Sequence, residues 1–514
     1  MSERVEKTEA QGSRRPPIVL VVSIALTFLF GIWGLLQPES MTGSAMHVVD
    51  YVLHQLGWLY LLFCTGFLFL AGFLAFGRYG HLRLGKDDER PEFSTASWLA
   101  MLFAAGMGCG LLFWGVAEPI YHFASPPGGV EARTPEAARL AMVLANLHWG
   151  LHAWSIYAVC ALVLAYFMFR RQQPGMISAP IRATMEPSLG RELLAESADV
   201  IAVLAVIFGL AGSLAMGTMQ VRAGLHEVYG LPLTTGASLG ILLLLTICYL
   251  ASASTGLSKG IQYLSNLNMI LVLALLVFIV VLGPTAYVME SFVNTFGDYF
   301  SSLFTYSFKV LSYEGEMDWT SSWTLTYLIW WVAWGPFVGI FIARISRGRT
   351  IREFCLGVIL IPTIFSMFWF SALGGSAIWI ELVGGGGIAD LVFEDLTTAL
   401  FAFLNFFPGG GVANFIGIVL IFVFLVTSAD SGTFVIGMMT SRGELNPKIG
   451  LKLAWGVLIA VLTVAILVTG SIEVGKAMAI FGALPFTLVV GLQIVCFLRA
   501  IRNDRGVASR GRPS

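Results

Sequence analysis

Twelve stretches of about 18–28 residues run almost free of charge through this chain, each long enough to cross a hydrocarbon core of roughly 30 Å as an α-helix. They lie near 17–37, 56–77, 95–118, 140–168, 199–221, 234–253, 265–288, 322–343, 353–380, 412–438, 452–470 and 477–498. In lipid every backbone polar group must be satisfied internally, so such a chain has little choice but helices. Composition agrees: 57% of the 514 residues are apolar and 12% charged, where a soluble domain carries about 25% charged residues. The expected fold class is an all-α integral membrane protein with twelve transmembrane helices. A net charge of -1 offers no basic surface for nucleic acid. The first stretch follows Arg14 and Arg15 and lacks a small-residue cleavage site, so it reads as a retained span.

Lysine and arginine set the orientation. Of 30 such residues, 25 fall in the tails and in every second loop: Arg78 to Arg90, Arg170 to Arg191, Lys259, Arg344 to Arg352 and Arg442 to Lys452. The positive-inside rule then places both termini in the cytoplasm. The six cysteines lie in or beside the stretches and suggest no disulfide. Two long connections fall outside. Met289 to Ser321 contains S-F-V-N-T-F-G-D-Y-F-S-S-L-F, which reads as an amphipathic surface helix. Glu381 to Val412 is punctuated by glycines and reads as flexible.

Two stretches differ from the rest. The third carries G-M-G-C-G at Gly106 to Gly110, and the eighth carries W-G-P at Trp334 to Pro336. Glycine costs about 1 kcal/mol against alanine in a helix interior. Pro336 removes the N–H that the Val332 carbonyl would bond. Both patterns weaken a helix near mid-membrane, although glycines also serve close helix packing. Five spans separate the two starts, so spans 3–7 and 8–12 form repeats of five. An odd number inverts the second repeat. Broken helices at matching places in inverted repeats mark the binding site of a secondary transporter. The expected division is a tail at 1–16, helices 1–2 at 17–94, a first repeat at 95–288, an outer helix and loop at 289–321, a second repeat at 322–498 and a basic tail at 499–514.

Aromatic residues point to the cargo. Trp323 to Trp334 holds four tryptophans, and Trp330, Trp331 and Trp334 fall within roughly 100° of one helical face. Tryptophan usually anchors at the lipid interface. Three on one face beside Gly335-Pro336 instead suggest a π-surface toward a cavity, suited to a quaternary ammonium. The fourth stretch adds Trp149, Trp154 and Tyr157 within an arc of roughly 140°. His148 and His152 have the i,i+4 spacing of metal ligands. With no carboxylate in their span, they read as structural hydrogen-bonding residues. Val426 to Gly432 offers the Thr427 and Ser428 hydroxyls, hard oxygen ligands for a small cation unless they bond back to i−4 carbonyls. Asp430 is a functional candidate within a span, unless it lies at the cytoplasmic end paired with an arginine such as Arg344.

These motifs resemble the betaine/choline/carnitine transporter family. Trp330 to Phe354 (W-W-V-A-W-G-P-F-V-G-I-F-I-A-R-I-S-R-G-R-T-I-R-E-F) carries most of the likeness. Gly106 to Pro119, His148 to Tyr157, Gly256 to Asn266 and T-S-A-D-S extend it to all but the tails. The resemblance implies a LeuT-type core of two inverted five-helix repeats and frequently a homotrimer. It implies a substrate box of Trp149, Trp154, Tyr157, Trp330, Trp331 and Trp334, with Phe113, Phe337 and Phe341 as gates. It implies a sodium site of Ala104 and Met107 carbonyls with the Thr427 and Ser428 hydroxyls. Val206 and Leu210 stand where such carriers have the two threonines of a second sodium site. Gly110 stands where proton-coupled choline carriers have Asp, and Gln262 where sodium-independent carnitine exchangers have Arg. Both differences favour cation-coupled import of a zwitterion. The expectation is a carrier, not an enzyme, in a bacterial cytoplasmic membrane, surrounded by lipid. It would import glycine betaine with sodium and use no cofactor beyond that coupling ion. The alternatives are a choline or carnitine carrier, proton-coupled or not, a channel, and a sensor, for which the tails are short.

Overall fold

The computed structural model describes residues 17–106, 108–255 and 258–504, the side chains of 103–106, 255 and 258–263 excepted. Within those residues regular structure is helical, apart from one bridge between Arg83 and Thr350. Eleven helices are long and apolar enough to cross a membrane: Ile18–Leu36, Pro38–Phe76, Pro135–Arg170, Leu189–Tyr229, Thr235–Ser254, Leu264–Leu282, Met317–Ile345, Ile351–Leu382, Gly410–Thr440, Ile449–Thr469 and Ile472–Arg502. The remaining expected stretch, 95–118, is divided at its glycines into Thr95–Gly106 and Cys109–Ala124. Met107, in the gap, lies outside the described residues.

The eighth stretch departs from expectation. Pro336 sits inside an unbroken helix, Thr326–Ile345. Proline forfeits one N–H, but its fixed φ already suits a helix. Packing does the rest. A Cβ on Gly335 would lie 3.2 Å from Cys160 Sγ, and one on Gly339 3.4 Å from the Ala161 nitrogen. Those two glycines therefore press the helix against its neighbour, Leu151–Ala165. The irregular turn comes earlier, as a π-helical turn at Ser321–Leu325.

The fourth stretch also departs. It is interrupted at Gly150, between Pro135–Trp149 and Leu151–Ala165. A Cβ at 150 would lie 2.4 Å from the Asn146 carbonyl oxygen, so the turn needs glycine. Trp149 therefore does not share one continuous helical arc with Trp154 and Tyr157.

Burial separates inner from outer helices. The most apolar windows of Pro135–Arg170 and Leu189–Tyr229 are 94% and 83% buried, against 28% in Ile18–Leu36 and in Leu264–Leu282. The outer pair exposes Phe28, Leu29, Ile270 and Val277, as helices facing lipid do. Leu189–Tyr229 starts at Ser188, whose side chain caps Arg191 N–H, and stops at Gly230 with φ 69°. It packs along Ile472–Arg502. There a Cβ on Gly212 would lie 2.4 Å from the Gly475 carbonyl oxygen, so two small residues let the backbones approach.

The stretch after 285 is the expected amphipathic helix, Thr285–Tyr306. It buries Val288, Thr295 and Tyr299 and exposes Phe296, Phe300 and Phe304. Residues 381–412 are more ordered than expected. Short helix Ile388–Glu394 buries Ile388, Ala389 and Val392, Ala399–Leu404 buries Leu400, Phe401, Phe403 and Leu404, and the glycines only turn the chain before the first and after the second. Elsewhere a backbone knot joins the segments preceding the split helix and following Thr326–Ile345. Leu84 N–H donates to Arg349 O, Gly348 N–H to Leu84 O and Ile351 N–H to Leu82 O, each at 2.8 Å. Trp98 Nε1 donates to Ser346 Oγ at 3.0 Å, and the Arg349 guanidinium lies 4.0 Å from the Trp98 ring centroid.

Candidate functional site

Most of Thr326–Ile345 is buried, but Trp330, Trp331, Trp334, Phe337 and Phe341 keep part of their surface free. Positions 330, 334, 337 and 341 recur every three or four residues and so form one stripe. The stripe lines a cavity of about 720 Å³, together with Phe113, Trp149, Tyr157, Thr427 and Ser428.

Trp331 is the hub of the rings. Its centroid lies 5.3 Å from that of Trp149 at 85° and 5.0 Å from that of Tyr157 at 73°. Trp154 is buried behind them, 5.8 Å from Tyr157 and 6.4 Å from Trp331. Its place is a back wall rather than the cavity lining. Trp331 Nε1 donates to the His148 carbonyl at 2.9 Å. That carbonyl is free because Gly150 ends the helix, and last-turn carbonyls lack helical partners. Trp330 stacks on Tyr327 at 6.2 Å, and Trp334 meets Phe337 edge-on at 5.5 Å. Five of the six aromatic candidates and the three phenylalanines thus line one cavity, and Trp154 packs behind them.

Gly110 lies against this wall: a Cβ there would come 2.9 Å from Trp149 Cη2. Thr427 Oγ1 donates to the carbonyls of Val423 at 3.0 Å and Phe424 at 3.1 Å. Spending its proton this way leaves the oxygen lone pairs for a cation. Ala104 belongs to the last turn of Thr95–Gly106, where helix-end carbonyls go unpaired. Hydroxyls and interrupted-helix carbonyls are hard oxygen donors of the sort that suits a small cation. Val206 and Leu210 are 2% and 1% exposed, and Leu210 Cδ1 lies 2.3 Å from where a Gly432 Cβ would be. Hydrocarbon fills that place. The side chain of Gln262 is among those not described.

The cavity extends from the rings to Arg344, Asp430 and Lys452. Asp430 Oδ2 accepts from Ser252 Oγ at 2.9 Å, and Lys452 Nζ donates to the Ala253 carbonyl at 2.6 Å. The suggested Asp430–Arg344 pair is not formed, since Asp430 turns to Ser252 instead. At the other end Trp114, Trp323 and Tyr327 pack together, with Trp114 5.8 Å from Trp323 and 5.7 Å from Tyr327. Lys476 Nζ lies 5.1 Å from the Trp323 ring centroid and 5.6 Å from that of Trp114.

The histidines do not converge as a pair. His148 Nδ1 meets Glu118 Oε1 at 2.6 Å and Nε2 meets Thr324 Oγ1 at 3.0 Å, while His152 Nε2 faces Thr65 Oγ1 at 3.5 Å. Glu118, His122 and His148 do bring three ligand-type atoms within 4.8 Å of one another. The short Glu118–His148 separation is that of a hydrogen bond. The sequence reading passed over Glu118, although a carboxylate inside an apolar run was a visible signal, the same one that singled out Asp430.

Comparison with known proteins bears on the whole chain. Residues 18–506 match the model of the BCCT family, betaine/carnitine/choline family transporters. A glycine betaine transporter of Bacillus subtilis, OpuD, is 42% identical over 95% of this chain and 94% of its own length. An ectoine/hydroxyectoine transporter of Virgibacillus pantothenticus is 40% identical over 96% of this chain and 98% of its own. A probable glycine betaine transporter of Desulfitobacterium hafniense is 38% identical over 95% and 97%. A multi-pass helical chain that matches over nearly its full length is a transporter rather than an enzyme, and it belongs to the betaine/carnitine/choline transporter family.

Proposed function

We propose that this chain imports a zwitterionic quaternary ammonium, glycine betaine first, together with sodium. The observation that carries this reading is the ring cluster around Trp331, where Trp149 and Tyr157 stand near-perpendicular to it at 5.3 and 5.0 Å. Rings at right angles offer π faces to one guest from more than one side, and a desolvated cation–π contact contributes about 2 kcal/mol or more. Relatives named for glycine betaine support the same cargo. Gly110 leaves the wall without a fixed anion, which suits a substrate carrying its own carboxylate.

Sodium would sit among the Thr427 and Ser428 hydroxyls and the carbonyls of Ala104 and Met107, coupling the broken helix to Gly410–Thr440. In this reading the two halves of 95–124 make a twelfth span, and spans 3–7 and 8–12 form the inverted repeats. The cavity end at Arg344 and Lys452 faces the cytoplasm, and both termini lie there. The packed rings of Trp114, Trp323 and Tyr327 then close the outer side. Alternating access follows as one bundle rocks against the other around a fixed site. The membrane is a bacterial cytoplasmic membrane, and the assembly is a trimer.

Proteoliposome uptake with sodium and proton gradients imposed separately tests this. Betaine accumulation driven by sodium alone is the expected result. Equal uptake on a proton gradient in potassium buffer would overturn the sodium assignment. Ectoine belongs in the same competition panel, because a 40% identical relative is named for it. Its delocalised cation and carboxylate present the same two charges.

A further inference from the structure

Glu118 has no solvent exposure, and both its oxygens are occupied. Oε2 accepts from Trp149 Nε1 at 2.7 Å and Oε1 from His148 Nδ1 at 2.6 Å, with His122 Nε2 3.5 Å from Oε1. The Trp149 indole can only donate, and an acceptor-only role toward it and the His148 ring suits an ionised carboxylate. Burying a charge costs several kcal/mol unless it is well bonded. A glutamine would accept from Trp149 equally well, so what glutamate adds is charge. Hydrogen bonds in a low-dielectric interior polarise one another. An indole whose N–H points at a carboxylate has a more electron-rich ring, and the attraction of a ring for a cation rises with the negative charge on its face.

We propose that Glu118 is a positioning residue that selects for cationic head groups through Trp149. It fixes the Trp149 ring in the cavity wall and strengthens that wall's hold on positive charge. His148 completes the strut. Its ring bridges Glu118 and Thr324, and its carbonyl receives Trp331 Nε1. Both perpendicular indoles thus hang from one carboxylate and its histidine partner. The proposal rests on the cavity being a quaternary-ammonium site.

The test measures betaine KM and the inhibition constant of tetramethylammonium, a bare cation, in proteoliposomes. Wild type, Glu118→Gln, Trp149→Phe, the double variant and Trp331→Leu are compared. Glu118→Gln is expected to raise both constants about tenfold, equivalent to about 1.4 kcal/mol, with a maximal rate near wild type. In the Trp149→Phe background the same change should add little. Wild-type constants in Glu118→Gln, or an equal loss in both backgrounds, would overturn the proposal. If Trp331→Leu also binds as wild type does, the aromatic site itself is wrong. Should Glu118→Gln fail to fold in a thermal melt, the ultraviolet resonance Raman difference between wild type and Trp149→Phe reports the Trp149 N–H. A strongly bonded indole is expected, and a free one overturns the idea.

Discussion

The split helix at 95–124 and the intact helix at 326–345 reach one cavity with opposite backbones. Propensity alone does not separate them. Three glycines within G-M-G-C-G cost about 1 kcal/mol each against alanine, and one interior proline costs about 3 kcal/mol. Packing decides. Gly335 and Gly339 press Thr326–Ile345 onto Cys160 and Ala161, so the proline's lost bond is outweighed by tight contact. Among the described residues a Cβ on Gly108 would meet nothing within 4 Å, so no such contact presses on that turn there. The difference assigns the labour. The broken backbone offers polar peptide groups, and the unbroken one offers a stripe of rings.

The largest effect should come from the unbroken side. Trp331→Leu removes the hub ring and strands the His148 carbonyl, so substrate affinity should fall about 30-fold or more, from a contact of about 2 kcal/mol. Trp334→Leu, with fewer ring partners, should lose less. Calorimetry or tryptophan fluorescence in detergent measures both. Unchanged affinity in the two variants would remove the aromatic site.

A matched pair of glycine substitutions tests the contrast directly. Gly110→Ala drives a methyl to about 2.9 Å from Trp149, so it should weaken binding by about tenfold with little loss of stability. Gly335→Ala meets Cys160 at 3.2 Å instead and should lower the melting temperature, by about 1–3 kcal/mol of overpacking, more than it changes affinity. The reverse pattern would mean that the roles of the two helices are exchanged. Gly110→Asp should in addition shift competition from betaine toward choline.

A smaller effect is expected from the hydroxyls of Gly410–Thr440 that line the cavity. Thr427→Ala and Ser428→Ala should raise the sodium concentration for half-maximal uptake, and substrate affinity should recover at saturating sodium, because the coupling is reciprocal. Wild-type sodium dependence in both would count against that site. The smallest effect on transport belongs to the proline. Pro336→Ala restores one bond in a helix that is already continuous, so stability should rise, by no more than the roughly 3 kcal/mol that an interior proline costs, and transport should persist. Abolished transport would instead make Pro336 a hinge, and the two helices alike.

Much of this was legible beforehand because the signals are local. Eleven apolar stretches became helices, and the glycine run broke the remaining one where it stands. The tryptophan stripe was visible as a three- and four-residue spacing. What escaped depended on partners distant in sequence. Pro336 was read without Cys160 and Ala161, which keep its helix whole. Trp149, Trp154 and Tyr157 were placed on one arc because the turn at Gly150 is met by a distant residue, Tyr299, whose hydroxyl accepts from Leu151 N–H at 3.1 Å. For Asp430, a functional candidate in its span, Arg344 was the alternative partner that charge suggested, while geometry gives it Ser252. Glu118 gains its meaning only when Trp149 and His148, some thirty residues on, are brought onto it.

The hydrocarbon at Leu210 bears on how full a cell could become. If sodium is the coupling ion and binds once, each zwitterion enters with a single positive charge. At about −100 mV and a tenfold sodium gradient, one ion supplies about 3.7 kcal/mol, so accumulation levels off about 500-fold above the medium. A second ion would square that ratio. Two threonine hydroxyls at Val206 and Leu210 would therefore be a thermodynamic setting as much as a binding site. On the proposed coupling to a single sodium, valine and leucine there would gear the chain for cheap uptake where the solute is plentiful rather than for scavenging traces.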